Sequence, residues 1–552
     1  LNSNKRNDTK MKKRHIIKYL FLLSMGAFIF TGCNNLDQMP YDKHTDETYW
    51  QSVENSELLV NMAYNQMYGA GKMWTDEALS DNVIQARDDN DPRKIRNGLA
   101  TPSLGLFASE WKWAYEGIKT CHKYLENVDR VPGMDENLKA TRKAEIRFIR
   151  AFLFFRLAYF YGDVPFFTED ITLAQAKTIS RTQKSVVLQF VHDELDEIID
   201  ILPSKGAITN KGRITNAAAV AFQARAYLYE NNWPMVEKYT DMLINQQGKY
   251  GVYELFGDYE SLFQSQNKYN NEVILDYGYA TTNRTWTEMY ARVPMTLGAF
   301  LNSCAPVQAL VDDYWTINGY TISKDPAYNP SSPYTNRDPR LTASVVYDGF
   351  NWVDENGKVS TIRTAYGTGT KDSWESVSSN KSVTGYYTRK YFDPQSRKTL
   401  KDYAQENNII MFRYADVLLM YAEAMLEQNK MNQSVWDATI KKIRTRAGFT
   451  AASALNYPST LSTAEMRELI HRERRIELVF EGLRYYDIVR WKEGTKYLNG
   501  VVNGAKFANN NSSYITLDSR KFNEGKDYLW SVPIEEIVKN PNLKPNNPGY
   551  SE

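Results

Sequence analysis

Apolar residues return every three or four positions through much of this chain, and that spacing predicts a succession of amphipathic helices. Leu58, Leu59, Met62, Ala63, Met67 and Tyr68 define the first, running from Glu54 and stopped by Gly69 and Gly71. Trp111 to Val131 repeats the pattern with Trp113, Ile118, Cys121, Leu125 and Val128 on one face. Ala140 to Tyr161 is apolar almost all round, as expected of a helix buried between neighbours. Gln183 to Leu202 is amphipathic and ends before Pro203. Ala217 to Asn231 and Pro234 to Asn245 read as a helix pair, in which small Ala218, Ala221 and Ala224 permit close packing. Pro234 suits a first helical turn, where its missing N–H costs little.

The periodicity lapses twice. Trp74 to Glu110 is rich in Asp, Asn, Pro and Gly, and reads as a long loop carrying Trp74, Asp76, Asp81, Asn82 and Arg87. From about Tyr250 to Asn408 only short strand-like pieces emerge, such as Glu272 to Asp276 and Thr342 to Val346. Trp286, Tyr290, Trp315, Trp352, Trp374, Tyr386 and Tyr387 are scattered through this second stretch, and loops carry binding residues more often than helical cores do. Helices resume at Ile409, with Trp436, Ile440 and Ile443 facing an earlier helix and Gly448 as a stop.

Glu468 to Trp491 holds the densest charge. A helix ending at Gly482 places Glu473 and Glu477 one turn apart, and paired carboxylates perform acid and base chemistry in glycosidases. An acid catalyst needs a raised pKa, however, and Arg472, Arg474, Arg475 and Arg484 are numerous enough to hold both glutamates ionised in structural ion pairs. His471 lacks the second histidine of a zinc-binding His-Glu-x-x-His pattern. No Asp-rich loop has calcium-ligand spacing, so no cofactor is assigned and structural calcium is left open.

Composition adds an uneven charge. Of the 552 residues 24% are charged and the net charge is +1, but residues 1–32 contain seven Lys or Arg and one Asp, so the remainder is net acidic. That excludes the basic footprint of a nucleic-acid-binding protein. Lys12, Lys13 and Arg14 precede an apolar run from Tyr19 to Phe30, too short to span a membrane and of the length of a signal-peptide core. Phe30-Thr31-Gly32-Cys33 is similar to a bacterial lipobox, which makes Cys33 the expected lipidated residue; ordinary secretion with cleavage nearby is the alternative. Residues before Met11 read as an upstream extension. Cys121 and Cys304 do not amount to a disulfide framework and are expected as buried free thiols. Aromatic residues make up 13%, including 38 Tyr and 12 Trp, and such rings serve both cores and sugar-stacking surfaces.

Several motifs resemble one family. Ile476-Glu477-Leu478-Val479-Phe480-Glu481-Gly482-Leu483-Arg484-Tyr485-Tyr486-Asp487-Ile488-Val489-Arg490-Trp491 resembles the C-terminal signature of SusD/RagB outer-membrane nutrient-binding lipoproteins. Lys143 to Ala151, Tyr161 to Phe166, Arg413 to Ala424, Ile443 to Gly448, Tyr528 to Ile537 and Asn546 to Tyr550 resemble further signatures in the family's order. The resemblance implies a mostly α-helical, SusD-like fold: a tetratricopeptide-like helix-pair scaffold with a loop-rich insertion packed against it. Residues 1–32 are then an extension and lipoprotein signal peptide, 33–44 a lipid-anchored tether and 45–552 one domain, with 250–408 on its ligand side.

By the same resemblance the protein is expected at the cell surface, anchored in the outer membrane. It would capture an oligo- or polysaccharide as the lid of a SusC-like TonB-dependent transporter and have no catalytic activity. Peptide capture by the same architecture, as in RagB, is the alternative, and glycoside hydrolysis is a third reading. A sugar offers a C–H face to aromatic rings and hydroxyls to polar side chains. Candidate stacking residues are therefore Trp74, Trp286, Tyr290 and Trp315, and candidate hydrogen-bonding residues are Asp81, Asn82, Arg337 and Asp338.

Overall fold

The computed structural model describes residues 46–85, 90–300, 302–354, 356–376, 380–395, 404–507 and 513–551. Cys33, the signal-peptide segment and the tether lie outside the described residues, as does Arg87. Within them the chain is mostly α-helical, and its strands form only two-stranded pairs.

The helices of the scaffold follow one another in space as in sequence. Helix α1 (Val53–Asn65) starts at Ser52, whose hydroxyl accepts the Asn55 N–H, and is followed by α2 (Ala70–Ala78). Helix α3 (Gly105–Asn127) packs on α4 (Glu136–Tyr161), α4 on α5 (Lys184–Ile199), and α5 on α6 (Asn216–Tyr229). Helix α6 packs in turn on α7 (Trp233–Asn245), α7 on α8 (Tyr414–Glu427), and α8 on α10 (Thr463–Glu477), with α9 (Ile440–Ala447) also against α8. This is the layered arrangement of helix pairs that the resemblance implies. Its tight point is α6, where Ala217, Ala218, Ala219, Ala221, Ala224 and Ala226 are wholly buried and their small side chains let neighbouring backbones approach.

The predicted loop from Trp74 to Glu110 is partly helical: α2 contains Trp74, and Asp91–Arg96 forms a short helix capped by Asn90. The period was hidden because α2 buries Asp76 and Glu77 as well as Met73 and Trp74, so charge and burial do not alternate there. The helix expected at Ile409 begins at Tyr414. Ile409–Arg413 instead forms a fully buried strand antiparallel to Val273–Tyr277, because a short apolar run with adjacent β-branched residues suits a strand between two layers. Of the strand expected over Thr342 to Val346, only Val345–Val346 is extended; Pro339–Ser344 is helical, with Asp338 as its cap. Gly500–Lys506 and Tyr514–Arg520 form an antiparallel pair that the hydrophobic pattern does not predict.

Helix α10 ends at Glu477, and the chain turns before α11 (Arg484–Arg490) through Phe480 at φ 62° and Gly482 at φ 74°. A Cβ on Gly482 would sit 3.0 Å from the Met73 carbonyl oxygen and 3.1 Å from the Tyr68 hydroxyl. Gly133 has a similar φ of 69°, with nothing near its Cβ position. Gly482→Ala therefore meets both backbone strain and crowding, and should cost about 2–4 kcal/mol, against about 1 kcal/mol for Gly133→Ala. Urea unfolding of the two variants beside the parent checks this, and equal losses would show that α2 yields to the added methyl.

Candidate ligand-binding site

Two carboxylates of α10, Glu473 and Glu477, are fully buried and ion-paired with arginine. Glu477 meets Arg413 at 2.6 Å, Arg340 at 2.9 Å and also Arg446. Glu473 meets Arg340 at 2.7 Å and Arg444 at 2.9 Å. Burial alone would raise both carboxyl pKa values, but the surrounding guanidinium charges outweigh it and hold both below the ordinary range. Both glutamates are ionised as the sequence suggested, yet through different partners. Arg474 binds Asp416 and Asp487, Arg472 binds Asp313, Arg475 binds Asp313 and Asp81, and Arg484 binds Asp81. Helical spacing could not reveal this, because the partners come from remote segments.

The polar candidates sit in this interior. Asp81 is paired with Arg475 and Arg484, both at 2.8 Å. The Asn82 amide donates to Glu77 at 2.8 Å, and its carbonyl oxygen accepts from Arg475 at 2.8 Å. Asp338 caps the Pro339–Ser344 helix and pairs with Arg340 at 2.8 Å. Arg337 donates to the carbonyls of Trp315, Pro333, Val311 and Tyr314.

Three of the ring candidates are also enclosed. Trp74 lies beneath the Arg292 guanidinium, 4.3 Å from its ring, and against Phe480. The Trp286 indole donates to the Asn407 carbonyl at 2.9 Å, and that of Trp315 to Glu473 at 3.0 Å. Of the eight, Trp315, Arg337 and Asp338 come together, the Trp315 carbonyl accepting from the Arg337 Nε and the Asp338 N–H. Tyr290 alone among the eight is half-buried.

Around Tyr290 the loops build a different surface. Its carbonyl accepts the Phe300 N–H at 3.1 Å, and the Phe300 side chain is 48% exposed. Asp372 accepts the N–H groups of Met295 at 2.7 Å and Thr296 at 3.1 Å, which fastens the segment carrying half-buried Tyr366 and Trp374 to the Tyr290–Phe300 turn. The Tyr366 ring lies 6.3 Å from Trp374 and 6.1 Å from Phe507. Lys381 stands 5.3 Å from the Trp374 ring centre and donates to the Trp374 and Ser376 carbonyls. The strand Gly500–Lys506 joins the group through the Ala505 N–H, 2.6 Å from the Thr384 carbonyl oxygen. Asn302 accepts the Val383 N–H at 3.3 Å while its amide nitrogen is buried without a partner.

Phe300, Tyr366 and Trp374 were not singled out from the sequence, although Trp374 was noted among the scattered aromatics. The signal that sets them apart is exposure, which composition does not carry. Cys121 and Cys304 are both buried and free, and burial pushes the Cys121 thiol up to about 12. Among the described residues no group of three or more His, Cys, Asp or Glu side chains gathers as metal ligands, and no helix is long and apolar enough to cross a membrane.

Residues 271–550 match the model of the SusD family, and residues 35–228 match one described as "Starch-binding associating with outer membrane". SusD-like protein P2 of Formosa agariphila is 25% identical over 98% of this chain and 100% of its own length. The starch-binding protein SusD of Bacteroides thetaiotaomicron is 24% identical, covering 98% of this chain and 100% of its own. The crystal structure of a SusD-like carbohydrate binding protein from Bacteroides fragilis superposes with a TM-score of 0.80 at 27% identity, over 90% of this chain and 100% of that one.

Asp81 gives a test of the buried pairing. Burial raises its carboxyl pKa, but Arg475 and Arg484 more than compensate and hold it at about 2, against 3.8 for the free group. The unfolded chain then takes up the proton first as pH falls, so this stabilisation, on the order of 2 kcal/mol, is present above about pH 4 and is lost towards pH 2. Asp81→Asn should cost about 3–5 kcal/mol at pH 7, since two guanidinium groups lose their charge partner. In denaturation curves from pH 6 to pH 2 the gap to the parent should narrow; a constant gap would mean that Asp81 acts through packing alone.

Proposed function

This chain belongs to the SusD family, and from that premise we propose that it binds oligo- or polysaccharide at the cell surface and passes it to a SusC-like TonB-dependent outer-membrane transporter, which it covers as a lid. The observation that carries the binding reading is the loop surface of Tyr290, Phe300, Tyr366 and Trp374. Four rings with accessible area stand on segments tied together by Asp372 and by the Thr384–Ala505 hydrogen bond. A ring held by its backbone can receive the C–H face of a sugar without paying much side-chain ordering entropy. Exposed Thr296 and the amide of Asn302 supply polar groups beside them. The relatives named for starch and carbohydrate binding support the same ligand class. Lipidation of Cys33 would supply the anchor, and the match to a model described as outer-membrane associated supports that location.

Binding rather than hydrolysis follows from where the acids are. Retaining and inverting glycosidases need two carboxyl groups flanking an open cleft, one with a raised pKa. Glu473 and Glu477 are closed off from solvent and held ionised by arginine.

Calorimetric titration of the soluble body with starch, laminarin, xylan, host glycans, their oligosaccharides and a mixed peptide pool tests the reading. Saturable heat with a glycan is expected, weakened about tenfold, or about 1.4 kcal/mol, by Trp374→Ala or Phe300→Ala. Heat with peptides alone would replace glycan capture by peptide capture. Glycan binding that neither substitution changes would move the site away from this loop surface.

A further inference from the structure

A second concave surface shares no residue with the loop face. Between the segment Trp315–Lys324 and the segment Ala452–Arg472 lies a cleft of about 940 Å³, at the upper end of the size of ligand-binding clefts. Tyr320, 44% exposed, stands on one wall, and half-buried Tyr457 stands on the other. Trp315 and Trp436 line the interior between them, each with its indole N–H already used, by Glu473 at 3.0 Å and by the Leu455 carbonyl at 2.8 Å. Trp315, 4% exposed, therefore offers the cleft only a narrow margin of ring, and Trp436, wholly buried, backs the wall.

The cleft has a fixed shape. Gly319, at φ 80°, brings the two walls into contact, since a Cβ there would meet the Ala454 Cα at 2.6 Å. Ser453 adds a hydrogen bond across the seam, donating to the Asn318 carbonyl at 2.7 Å. The Trp315–Lys324 loop is braced from behind by Asp325, which accepts from Thr316, from Asn318 and from the Ala327 N–H.

Its charges are mostly spent. Arg472 is paired with Asp313, Arg467 with Glu427, and Glu468 and Glu493 with Lys496, while Glu465 accepts from the Ser462 hydroxyl and N–H. Two donors are left over. Arg444 is 2% exposed and uses Nε on Glu473 and Nη1 on the Ala454 carbonyl, but its Nη2 has no acceptor. Lys324 on the rim has no carboxylate within ion-pairing distance among the described residues.

We infer that this cleft is a second carbohydrate-binding site, taking a short uncharged oligosaccharide segment with its C–H faces against Tyr320 and Tyr457 and its hydroxyls towards the unpaired donors. The inference rests on the glycan reading above, but on a separate surface. A peptide would want a strand edge to pair with, and the walls provide none; of their cations only Lys324 on the rim is left without an ion pair among the described residues. Two modest sites on one chain would retain a long polysaccharide far better than either alone, because the second contact is made within one molecule.

The test titrates the whole soluble protein with maltohexaose, laminarihexaose and xylohexaose, by calorimetry and by protein-observed NMR. The Trp374→Ala variant should retain a residual site for one of these probes. Tyr320→Ala in that background should weaken the residual site at least tenfold, and Tyr320→Phe should restore it. Tyr320 is exposed, so its truncation leaves the core intact, and unchanged thermal unfolding confirms that. Residual binding indifferent to Tyr320→Ala overturns the second site, as does complete loss of binding in Trp374→Ala alone, an outcome that leaves the loop face standing. Binding abolished by Tyr320→Ala and untouched by Trp374→Ala keeps the cleft and removes the loop face. Silence of all three probes on the parent, with no glycan in the wider panel binding either, removes both.

Discussion

The arrangement depends on taking a cluster of arginines and carboxylates out of water together. Arg413 alone joins Glu272 to Glu477 and Glu481, which lie about two hundred residues further along the chain, and Arg446 joins Glu272 and Glu477 again from α9. Arg474 ties Asp416 of α8 to Asp487 of α11, and Arg156 carries the same logic to Asp76 and Glu110. Each ion pays a desolvation cost of several kcal/mol, so such a cluster is tolerable only when every member is answered. Guanidinium suits that demand, since its planar fork can satisfy two carboxylates at once. The net gain in stability over an apolar core is small, but the penalty for a misplaced partner is large. The network therefore acts mainly on register: α8, α9, α10, α11 and the strand Ile409–Arg413 can come together in one way without stranding a charge.

That rigidity has a consequence for the loops. The described residues of 251–408 form few long elements of their own, yet they are anchored where they meet the scaffold: Arg340 and Asp338 enter the network, Lys390 reaches Glu481 at 2.7 Å, and Glu272 binds Arg413. A loop fixed at several points can hold a ring at a set angle. The Tyr290–Phe300 turn and the Tyr366–Trp374 segment are held in that manner through Asp372, and the Tyr320 loop through Asp325 and Gly319.

The scaffold was legible in the sequence wherever burial and hydrophobicity coincide. α4 from Ala144 onward and α6 are rich in apolar residues and buried nearly all round, and both were placed to within a few residues. Legibility failed where burial is charged, as at Asp76 and Glu77 in α2, because the pattern that identifies a helix assumes that charges face water. It failed again at Ile409–Arg413, where a run of five residues cannot announce its own conformation. For the candidate surfaces the difficulty is of another kind. Trp74, Trp286 and Trp315 have the same chemistry as Trp374, and what separates them is a covering arginine, a carbonyl within reach of the indole, or a glutamate from a helix 158 residues away. None of these is local information.

The same distinction bears on how this chain would recognise a sugar. An indole whose N–H is satisfied inside the protein has lost its polar end and can present only its face or edge, so an enclosed tryptophan shapes a pocket more than it selects a ligand. Trp315 is such a residue: its N–H belongs to Glu473, its ring is flanked by Arg444 at 4.9 Å and Arg472 at 5.2 Å, and it still borders a cleft. Selectivity among glycans must then come from the edges, where hydroxyls find or miss a donor, because ring stacking accepts any sugar with a flat C–H face. Each surface has one such buried donor without a partner beside it, Arg444 Nη2 by one and the Asn302 amide by the other, and both are fixed in direction. A ligand that meets them gains a hydrogen bond in a partly desolvated place, and one that cannot leaves a buried group unpaired, at about 1–3 kcal/mol. Discrimination of that kind needs neither a catalytic group nor a metal, only rings held still and a small number of donors that nothing else in the protein has claimed.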